Sequence, residues 1–348
     1  MTTRILPFLF SAFCALGLSS GGGPSALILP QEHHFTAMRQ LTFGGQNAEG
    51  YFSSDESKLI FQSTRGSLEC DQEFVMDLAS TGVRMISTGK GRTTCGYFFP
   101  GDTMVLFSST HHLLSTCPPR PDFSKGYTWA VSPEYDIFTA RPDGSNLHQM
   151  TSTPGYDAEA TISPRGDRIV FTSLRHGDLD LYSMNLDGSD VRQLTNELGY
   201  DGGAFYSWDG SRIVYRACHY SDSASAASYR ALLAQNLVRP LHMEIFVMNA
   251  DGSDKRQITS NGAANFAPFF HPDNRRIIFA SNMADPEGRD FDLYLINVDG
   301  SGLERVTYNN TFDGFPMFTH DGKKLVFASN RNGKVPHETN LFLADWKD

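Results

Sequence analysis

Runs of branched aliphatic and aromatic residues recur along the chain at a regular interval, which indicates a repeat of β-strands. Each run is short and is bounded by turn residues, as is typical of strands rather than helices. The six apolar runs lie at residues 59–61, 105–107, 169–171, 213–215, 277–279 and 325–327. A further strand follows each run and opens on an acid or an amide. These strands lie at 73–76, 136–138, 180–182, 244–246, 292–294 and 340–342.

Two series of turns separate these strands and predict tight hairpins. The first series precedes the apolar runs, at residues 53–56, 100–102, 163–166, 207–210, 271–274 and 319–322. The second reads Asp-Gly-Ser at 143–145, 187–189, 251–253 and 299–301, and is degenerate at 80–82. Asp-Gly supplies the positive φ angles that two-residue hairpins need. Two hairpins give four antiparallel strands, which form one blade of a β-propeller.

The repeated units predict an all-β fold, a six-bladed β-propeller of four-stranded blades. One blade cannot bury both of its faces alone, so the blades must stack in a ring. The sixth unit ends near Trp346 with only three strands, whereas residues 35–42 end in Arg-Gln-Leu-Thr, as do residues 192–195. We therefore expect the N-terminal strand to complete the last blade, which closes the ring and protects open strand edges.

The repeat resembles that of the TolB-like periplasmic β-propellers. Residues 187–195 read Asp-Gly-Ser-Asp-Val-Arg-Gln-Leu-Thr, which is similar to the family's repeat signature. The resemblance covers residues 35–346 and is specific for the fold. TolB proper carries an α/β domain before its propeller, and that domain engages the Tol machinery. Here only residues 27–34 separate the expected export signal from the first strand, so the chain looks like a stand-alone TolB-like propeller.

Residues 1–26 resemble an export signal. Arg4 gives a small positive region, residues 5–18 are apolar but too short to span a bilayer, and residues 19–26 are small and rich in glycine. We expect a bacterial-type signal peptide at 1–26 and a single propeller domain at 27–348, located in the periplasm or secreted. No later segment is apolar enough to predict a transmembrane span.

Composition narrows the classes of function. The 348 residues carry a net charge of −10, whereas nucleic-acid-binding proteins normally carry a basic surface. A cationic ligand, a metal or a basic partner suits this charge better. The sequence has no Gly-x-Ser-x-Gly nucleophile motif and no phosphate-cradling glycine loop in the expected mature chain. It therefore does not indicate an enzyme of those classes.

The cysteines suggest disulfides. Of the five, Cys14 lies in the expected signal, and an even number remains for an oxidising compartment. Cys70 opens a third strand and Cys95 opens the innermost strand of the next blade, so Cys70–Cys95 is the favoured pair. Cys117 and Cys218 lie in two insertions and could join them. Buried free thiols are the alternative.

Two insertions break the period, at residues 111–134 and 218–243. Both lie between a second and a third strand. Both should therefore rise from the face that also carries the loops into the innermost strands, here called the mouth face. Residues 223–238 are rich in Ala and Leu and predict a helix capped by Ser221 or Asp222. Long loops on a rigid scaffold usually carry function, and neutral surface decoration is the alternative.

Polar residues at the start of the innermost strands predict a ligand-binding ring at the mouth of the central channel. The ring comprises Glu49, Asp157, Glu159, Asp201, Asn265 and Asp313. Crowded carboxylates repel one another unless a cation compensates them. Oxygen ligands suit calcium or magnesium, so we expect a divalent cation such as calcium at Asp157, Glu159 and Asp201. Alternatively, the acids bond neighbouring backbone and lock the blades together.

Basic residues follow the second strands on the same face and could bind a carboxylate or a sugar acid. They are Arg65, Arg175, Arg216 and Arg331, with Asn282 at the equivalent place. More simply, they could pair with the acids of the ring. His176 and His219 also follow second strands. A transition metal held by these two histidines is a further hypothesis, without a diagnostic spacing.

These features favour a binding scaffold of the cell envelope that presents its acidic mouth and both insertions to a protein or peptide. The alternative is a metal-dependent, lyase-like enzyme for carbohydrate or uronate substrates that uses His176, His219 and Arg175. A purely structural part of an envelope assembly is a third hypothesis. The scaffold is preferred because the sequence contains no catalytic signature.

Overall fold

The computed structural model describes residues 27–120, 124, 126–286 and 288–348 and shows a six-bladed β-propeller. Each blade is a four-stranded antiparallel sheet, which confirms the predicted fold class. The expected signal peptide at 1–26 lies outside the described residues. Within these residues, no helix is both long and apolar enough to cross a membrane.

The strands follow one another around the ring, beginning with β1 at Phe35–Gln40. Blade 1 contains β2 Gln46–Phe52, β3 Lys58–Thr64, β4 Gln72–Asp77 and β5 Val83–Met85. Blade 2 contains β6 Thr93–Phe98, β7 Val105–Ser109, β9 Asp136–Ala140 and β10 His148–Gln149, with β8 Trp129–Ala130 in the insertion between β7 and β9. Blade 3 contains β11 Asp157–Ile162, β12 Ile169–Ser173, β13 Asp180–Met184 and β14 Arg192–Gln193.

The second half of the chain repeats this arrangement. Blade 4 contains β15 Gly199–Tyr206, β16 Arg212–His219, β18 Glu244–Asn249 and β19 Arg256–Gln257, with helix α1 Ser223–Leu233 and β17 Leu237–Val238 in its insertion. Blade 5 contains β20 Asn265–Phe270, β21 Arg276–Ser281, β22 Asp292–Asn297 and β23 Glu304–Arg305. Blade 6 contains β24 Asp313–Phe318, β25 Lys324–Ser329 and β26 Asn340–Trp346.

The N-terminal strand closes the ring, as predicted. β1 pairs antiparallel with β26, with Phe35 opposite Trp346 and Gln40 opposite Phe342. Blade 6 therefore has the sheet order β1-β26-β25-β24. Phe35 and Met38 are buried in the apolar core. The two ends of the described chain thus pair in one sheet. Blade 6 therefore has four strands like the others, and its third strand is not left as an exposed edge.

Local hydrogen bonds explain the repeated sequence signature. In the Asp-Gly-Ser hairpin of blade 3, the Asp187 carboxylate accepts bonds from the Ser189 backbone N–H (3.0 Å) and hydroxyl (2.6 Å). These bonds lower the pKa of Asp187. The Thr195 hydroxyl donates to Asp180 and accepts from the Leu181 N–H. Asp180, the acid that opens the third strand of blade 3, therefore fixes the end of its blade, and its role there is structural.

A bulge interrupts each innermost strand at the same place. The central residue of each bulge has a positive φ angle; these bulge residues are Glu49, Cys95, Glu159, Gly203, Ala267 and Phe315. A bulge turns its side chain out of the regular alternation of the strand. The bulge residues of successive blades therefore form one layer near the axis on the mouth side.

Aromatic rings fill the axis below this layer. The ring centroids of Tyr51 and Phe205 lie 5.3 Å apart, and Phe205 also contacts Phe269 at 5.2 Å and Tyr97 at 6.1 Å. Tyr51 belongs to blade 1 and Phe205 to blade 4, which are opposite each other in a ring of six. Their contact spans the axis, so the mouth ends on an apolar floor.

The cysteine pairing expected from the sequence is wrong. Cys70 is bonded to Cys117, while Cys95 and Cys218 are free thiols. Cys95 occupies the bulge position of blade 2, with φ of 57°, near the axis. Cys70 lies in the β3–β4 loop, where the insertion 111–134 folds back to meet it. The disulfide therefore ties this insertion to the neighbouring blade.

The two insertions are joined by backbone pairing rather than by cysteines. β8 and β17 form a two-stranded antiparallel sheet, with Trp129 opposite Val238. Helix α1 begins where the sequence predicted, since the Asp222 carboxylate accepts bonds from Ala224 N and Ser225 N. The Tyr229 hydroxyl anchors the helix through Asp178 (2.6 Å) and the Gly199 carbonyl (2.7 Å). The insertions thus form one connected structure on the mouth face.

Candidate functional site

One polar residue is buried near the start of each innermost strand, at the mouth face. These head residues are Asn47, Thr93, Asp157, Asp201, Asn265 and Asp313, each no more than 1% exposed. A buried carboxylate needs a cation or several hydrogen bonds. The contacts of the head residues therefore show how the fold compensates the charge of the predicted acidic ring in each blade.

Two head aspartates are compensated by arginine. Arg175 donates to both carboxylate oxygens of Asp157, at 3.1 and 3.2 Å. Arg331 donates to Asp313 at 2.9 Å and to Glu32 of the N-terminal segment at 2.9 Å. Burial still raises the pKa of Asp157. These contacts correspond to the simpler interpretation of the sequence, in which the basic residues pair with the ring.

The head residue of blade 5 and the arginine of blade 1 have local partners. The Asn265 amide donates to the Met243 carbonyl (2.7 Å) and to Glu244 (3.1 Å), which links blades 4 and 5. The guanidinium of Arg65 lies 5.6 Å from the centre of the Phe74 ring. Burial lowers the pKa of Arg65. Asn265 and Arg65 thus both contact neighbouring residues of the fold.

Arg216 differs from the other arginines. The sequence analysis placed it after a second strand, but it lies within β16, opposite Gly202. It bonds the Glu159 carboxylate and the Tyr200 hydroxyl, and the Tyr200 hydroxyl also donates to Glu159 at 2.7 Å. The rings of Trp129, Tyr200 and Phe266 surround its guanidinium at 5.2–5.9 Å. Arg216 is only 7% exposed and compensates Glu159 at the centre of the mouth.

Among the described residues, no cation forms a salt bridge with Glu49, and Arg216 acts on it only from a greater distance. Burial, followed by repulsion from Glu159, raises the pKa of Glu49 to about 7, although Arg216 and the Cys95 thiol oppose the shift. A carboxyl group with this pKa exchanges its proton near neutral pH. Glu49 is therefore the bulge residue best suited to accept or release a proton when the charge of the mouth changes.

Asp201 lies in a third kind of environment. Its Oδ1 bonds Nε2 of His219 at 3.0 Å, and its Oδ2 has no hydrogen-bond partner among the described residues. One ligand atom each of Glu197, Asp201 and His219 lies within 4.8 Å of the others. Burial raises the pKa of Asp201 to about 6. Burial opposes a rise for His219, but its bond to Asp201 raises the pKa of the imidazole.

The three metal ligands expected from the sequence thus have different partners. Asp157 bonds Arg175, Glu159 bonds Arg216, and Asp201 bonds His219. His176 does not share the site of His219, since its Nδ1 lies 2.8 Å from the hydroxyl of Tyr182. Glu197, which precedes the head residue of blade 4 by four positions, was not predicted from the sequence. The acid at this position, absent from the other Asp-headed blades, was the available signal.

A cavity of about 780 Å³ opens on the mouth face over blades 1 and 2. Its walls come from the β3–β4 loop, the insertion 111–134 and the β25–β26 loop. Aromatic side chains of Tyr127, Trp129, Tyr135 and Tyr156 line it, together with charged groups of both signs. Those charged groups are Glu69, Asp71, Arg92, Arg120 and Glu338. Among the described lining residues, none belongs to the predicted ring or its arginines.

Large apolar side chains are exposed on the mouth face, and one of them, Val335, lines the cavity. Phe43 is 71% exposed, Leu113 64% and Val335 61%. Tyr127 is 44% exposed, accepts a bond from the Trp129 indole at 3.0 Å and carries the Arg289 guanidinium over its ring. Exposed apolar groups clustered on one face are typical of interaction surfaces. The sequence placed the insertion on the mouth face, but its aromatic residues were not predicted to belong to the site.

Comparison with known proteins identifies the fold. No family model and no curated protein matches the chain. TolB from Acinetobacter baumannii aligns with a TM-score of 0.58 at 16% identity, over 77% of this chain and 55% of that chain. A protein described as a TolB from Agrobacterium tumefaciens aligns with a TM-score of 0.56 at 18% identity, over 87% and 91% of the two chains. The chain has the fold of the TolB-like propellers.

The same fold also carries enzymes. An oligogalacturonate lyase in complex with manganese aligns with a TM-score of 0.51 at 16% identity, over 89% of this chain and 93% of that chain. At these identities the likeness shows the TolB-like fold alone. The chain spans about half the length of the A. baumannii TolB. Function must therefore be inferred from the mouth face itself.

Proposed function

We propose that the protein is an exported binding scaffold that captures a protein or peptide segment in the cavity of the mouth face. The observation that carries this proposal is the position of the cavity between a rigid propeller and an insertion tethered by Cys70–Cys117. A tethered wall loses little conformational freedom on binding, which favours affinity. The disulfide also agrees with an oxidising compartment, such as the periplasm.

The lining suits a peptide better than a small ionic ligand. Tyr and Trp provide large contact areas at low entropic cost, and they are enriched where proteins bind one another. The cavity combines them with Asp71 and Arg92, so a segment with an apolar anchor and charges of both signs fits its chemistry. The exposed Phe43 and Leu113 would contact the partner outside the cavity, and the exposed Val335 would contact it at the cavity wall.

Capture from a periplasmic extract tests this proposal. The immobilised protein should retain a defined partner, identified by mass spectrometry. Tyr127→Ala and Leu113→Ser should each reduce capture by about tenfold, the effect expected for a loss of roughly 1.4 kcal/mol. Leu303→Ser is the matched control, because Leu303 is 49% exposed on the β22–β23 hairpin of the opposite face. Equal capture by all three variants would contradict the assigned site.

The head aspartates are poor targets for this test. Asp157 and Asp201 are 1% and 0% exposed, so reversing their charge would perturb folding before it perturbed binding. Calcium at Asp157, Glu159 and Asp201 remains a proposal, since carboxylate oxygens are suitable ligands. Equilibrium dialysis of the wild-type protein against calcium alone would measure it without any substitution.

A second candidate function is a metal-dependent enzyme for uronate oligomers. It is favoured by the His219–Asp201 pair at the mouth and by the fold shared with a manganese-bound oligogalacturonate lyase. Incubation with uronate oligomers and Mn²⁺ should then produce the ultraviolet absorbance of an unsaturated product. Absence of product with intact protein, while partner capture persists, would leave the binding scaffold alone.

A further inference from the structure

The six repeats allow one position to be compared within the same molecule. Three blades have an aspartate as head residue. On the second strand of each of these blades, one residue lies directly opposite the aspartate in the sheet. The side chain that faces the aspartate belongs to the residue two positions further along the chain. This residue is Arg175 in blade 3 and Arg331 in blade 6, but His219 in blade 4. Blade 4 therefore replaces a permanent cation with a side chain that can become neutral and donate a lone pair.

Blade 4 also adds an acid. Glu197 lies four residues before Asp201, where blades 3 and 6 have Thr153 and Asn309. Its carboxylate completes the group of three ligand atoms within 4.8 Å of one another. The Lys255 ammonium lies 3.7 Å from the Glu197 carboxylate, and the Lys255 side chain is 26% exposed. Two changes in one blade thus convert an aspartate–arginine pair into an imidazole with two carboxylates.

One buried oxygen in this group is unsatisfied. Asp201 is 0% exposed, and its Oδ2 has no hydrogen-bond partner among the described residues. Asp313 also has an unpartnered Oδ1, but the permanently charged guanidinium of Arg331 donates to the other oxygen of that carboxylate. Burying a carboxylate oxygen without donor or cation costs free energy. A bound cation would satisfy Asp201 in the place where its neighbours use arginine.

Other carboxylates nearby are already used. Asp178 accepts bonds from the Gly199 N–H, the Leu179 N–H and the Tyr229 hydroxyl. Asp180 accepts bonds from Gln193 and Thr195. They therefore add negative potential around Asp201 without providing a cation. The side chains of His219 and Glu197 are 27% and 42% exposed, so an ion can reach the group from solvent.

We propose that Glu197, Asp201 and His219 form a divalent transition-metal site at the rim of the mouth. The metal would take the place of the proton between His219 Nε2 and Asp201, and Glu197 would supply the third ligand. Imidazole with carboxylates suits Zn²⁺ or Mn²⁺, whereas Ca²⁺ prefers six or more oxygen ligands. Three protein ligands leave coordination positions open to water or to a substrate oxygen.

The site does not depend on peptide capture, and it supplies the metal ligands that the uronate enzyme would need. A failure of metal binding would remove the metal-dependent enzyme but leave the scaffold untouched. A failure of capture would leave the metal site untouched. The two proposals are therefore tested separately.

The experiment uses tag-free protein stripped of metal by dialysis against a chelator. Calorimetric titration should give one Zn²⁺ or Mn²⁺ per chain, with Ca²⁺ at least tenfold weaker, because histidine is a poor ligand for calcium. His219→Arg should abolish binding while restoring the Asp–Arg pair that blades 3 and 6 already contain. Retained thermal stability of this variant would show that the loss comes from the ligand and not from misfolding.

Two further variants complete the design. Glu197→Gln should weaken metal binding by roughly tenfold or more. Even mutation of a group that only supports a metal ligand typically has an effect of this size. His176→Gln is the matched control, since His176 lies on the same face, and it should bind metal like the wild type. In NMR spectra, Mn²⁺ should broaden the imidazole signal of His219 before that of His176. Unchanged binding by His219→Arg, or a preference for Ca²⁺, would overturn the proposal.

Discussion

The second residue of each third strand faces the innermost strand of the next blade, as Leu341 does against Gly50. In five blades this residue is aliphatic; the residues are Ile137, Leu181, Ile245, Leu293 and Leu341. Blade 1 has Glu73 instead, which is fully buried against Gly96. Among the described residues, neither of its carboxylate oxygens has a hydrogen-bond partner of normal geometry, and the Gly96 N–H is the nearby donor. Burial raises the pKa of Glu73 well above 4.5.

Glu73→Leu should therefore stabilise the protein at neutral pH. The expected gain in the free energy of unfolding is about 1–3 kcal/mol, because an unsatisfied buried group is removed. The gain should shrink in acid, because below pH 4.5 the Glu73 carboxyl is protonated in both the folded and the unfolded protein. As the pH rises above that value, the wild-type protein loses stability, since the carboxyl can ionise freely only after unfolding. Urea unfolding at acidic and neutral pH measures both effects. Asp167→Asn, at an exposed carboxyl, is the control, and an equal gain at both pH values would contradict the explanation.

Arg216 is the converse case, a buried cation with an assigned partner. Arg216→Met should destabilise the fold by about 2–4 kcal/mol, because Glu159, whose side chain is only 14% exposed, would lose its counter-charge. Adding Glu159→Gln should recover much of that loss, since no uncompensated charge then remains. Thermal unfolding of both single variants and the double variant measures the coupling. Additive losses would show that Arg216 acts only through its aromatic contacts.

At the scale of elements, the insertion 111–134 depends on a covalent tie. The Cys70–Cys117 bond closes a segment with a sequence separation of 47, for which the chain-entropy model gives about 4 kcal/mol. Cys70→Ser/Cys117→Ser should therefore lower the free energy of unfolding by up to that amount and loosen the cavity wall. Chemical denaturation measures the first effect, and hydrogen exchange at residues 126–130 measures the second.

The free cysteines provide the control for this prediction. Cys218→Ser should leave exchange in the insertion unchanged, because Cys218 is a free thiol. Peptide mapping without reduction should recover Cys70 and Cys117 in one linked fragment. Recovery of a Cys70–Cys95 fragment would contradict the pairing and the tether.

At the scale of the whole molecule, the stability of the ring depends on the pairing of β1 with β26. The Phe35 ring lies 5.8 Å from Phe327 and 5.9 Å from Trp346, inside blade 6. Phe35→Ala should cost about 3–5 kcal/mol, the usual penalty for emptying a buried aromatic site. Phe43→Ala is the control, because this residue is 71% exposed and surface changes usually stay within about 0.5 kcal/mol. Equal stability of the two variants would mean that the closing strand contributes little.

The sequence by itself determined the repeat, the number of blades, the closing strand and the start of helix α1, while the structure chose Asp222 over Ser221 as its cap. Each of these depends on local chemistry, because hairpin turns, strand periodicity and helix caps are set by residues a few positions apart. Residues 187–195 contain their own turn, as the bonds between Asp187 and Ser189 show. The face on which the insertions rise followed from strand order alone.

Only the tertiary structure decided which groups meet. Cys70 pairs with Cys117 because the insertion of blade 2 folds back over blade 1, and no spacing in the sequence encodes that return. The ring acids looked alike in sequence, yet the fold gives Arg175 to Asp157, Arg216 to Glu159 and His219 to Asp201. Arg175 and His219 meet their aspartates across a strand pair within one blade, whereas Arg216 meets Glu159 across two blades. The partner of each acid therefore depends on strand register and on the packing of neighbouring blades, which exist only in the folded chain.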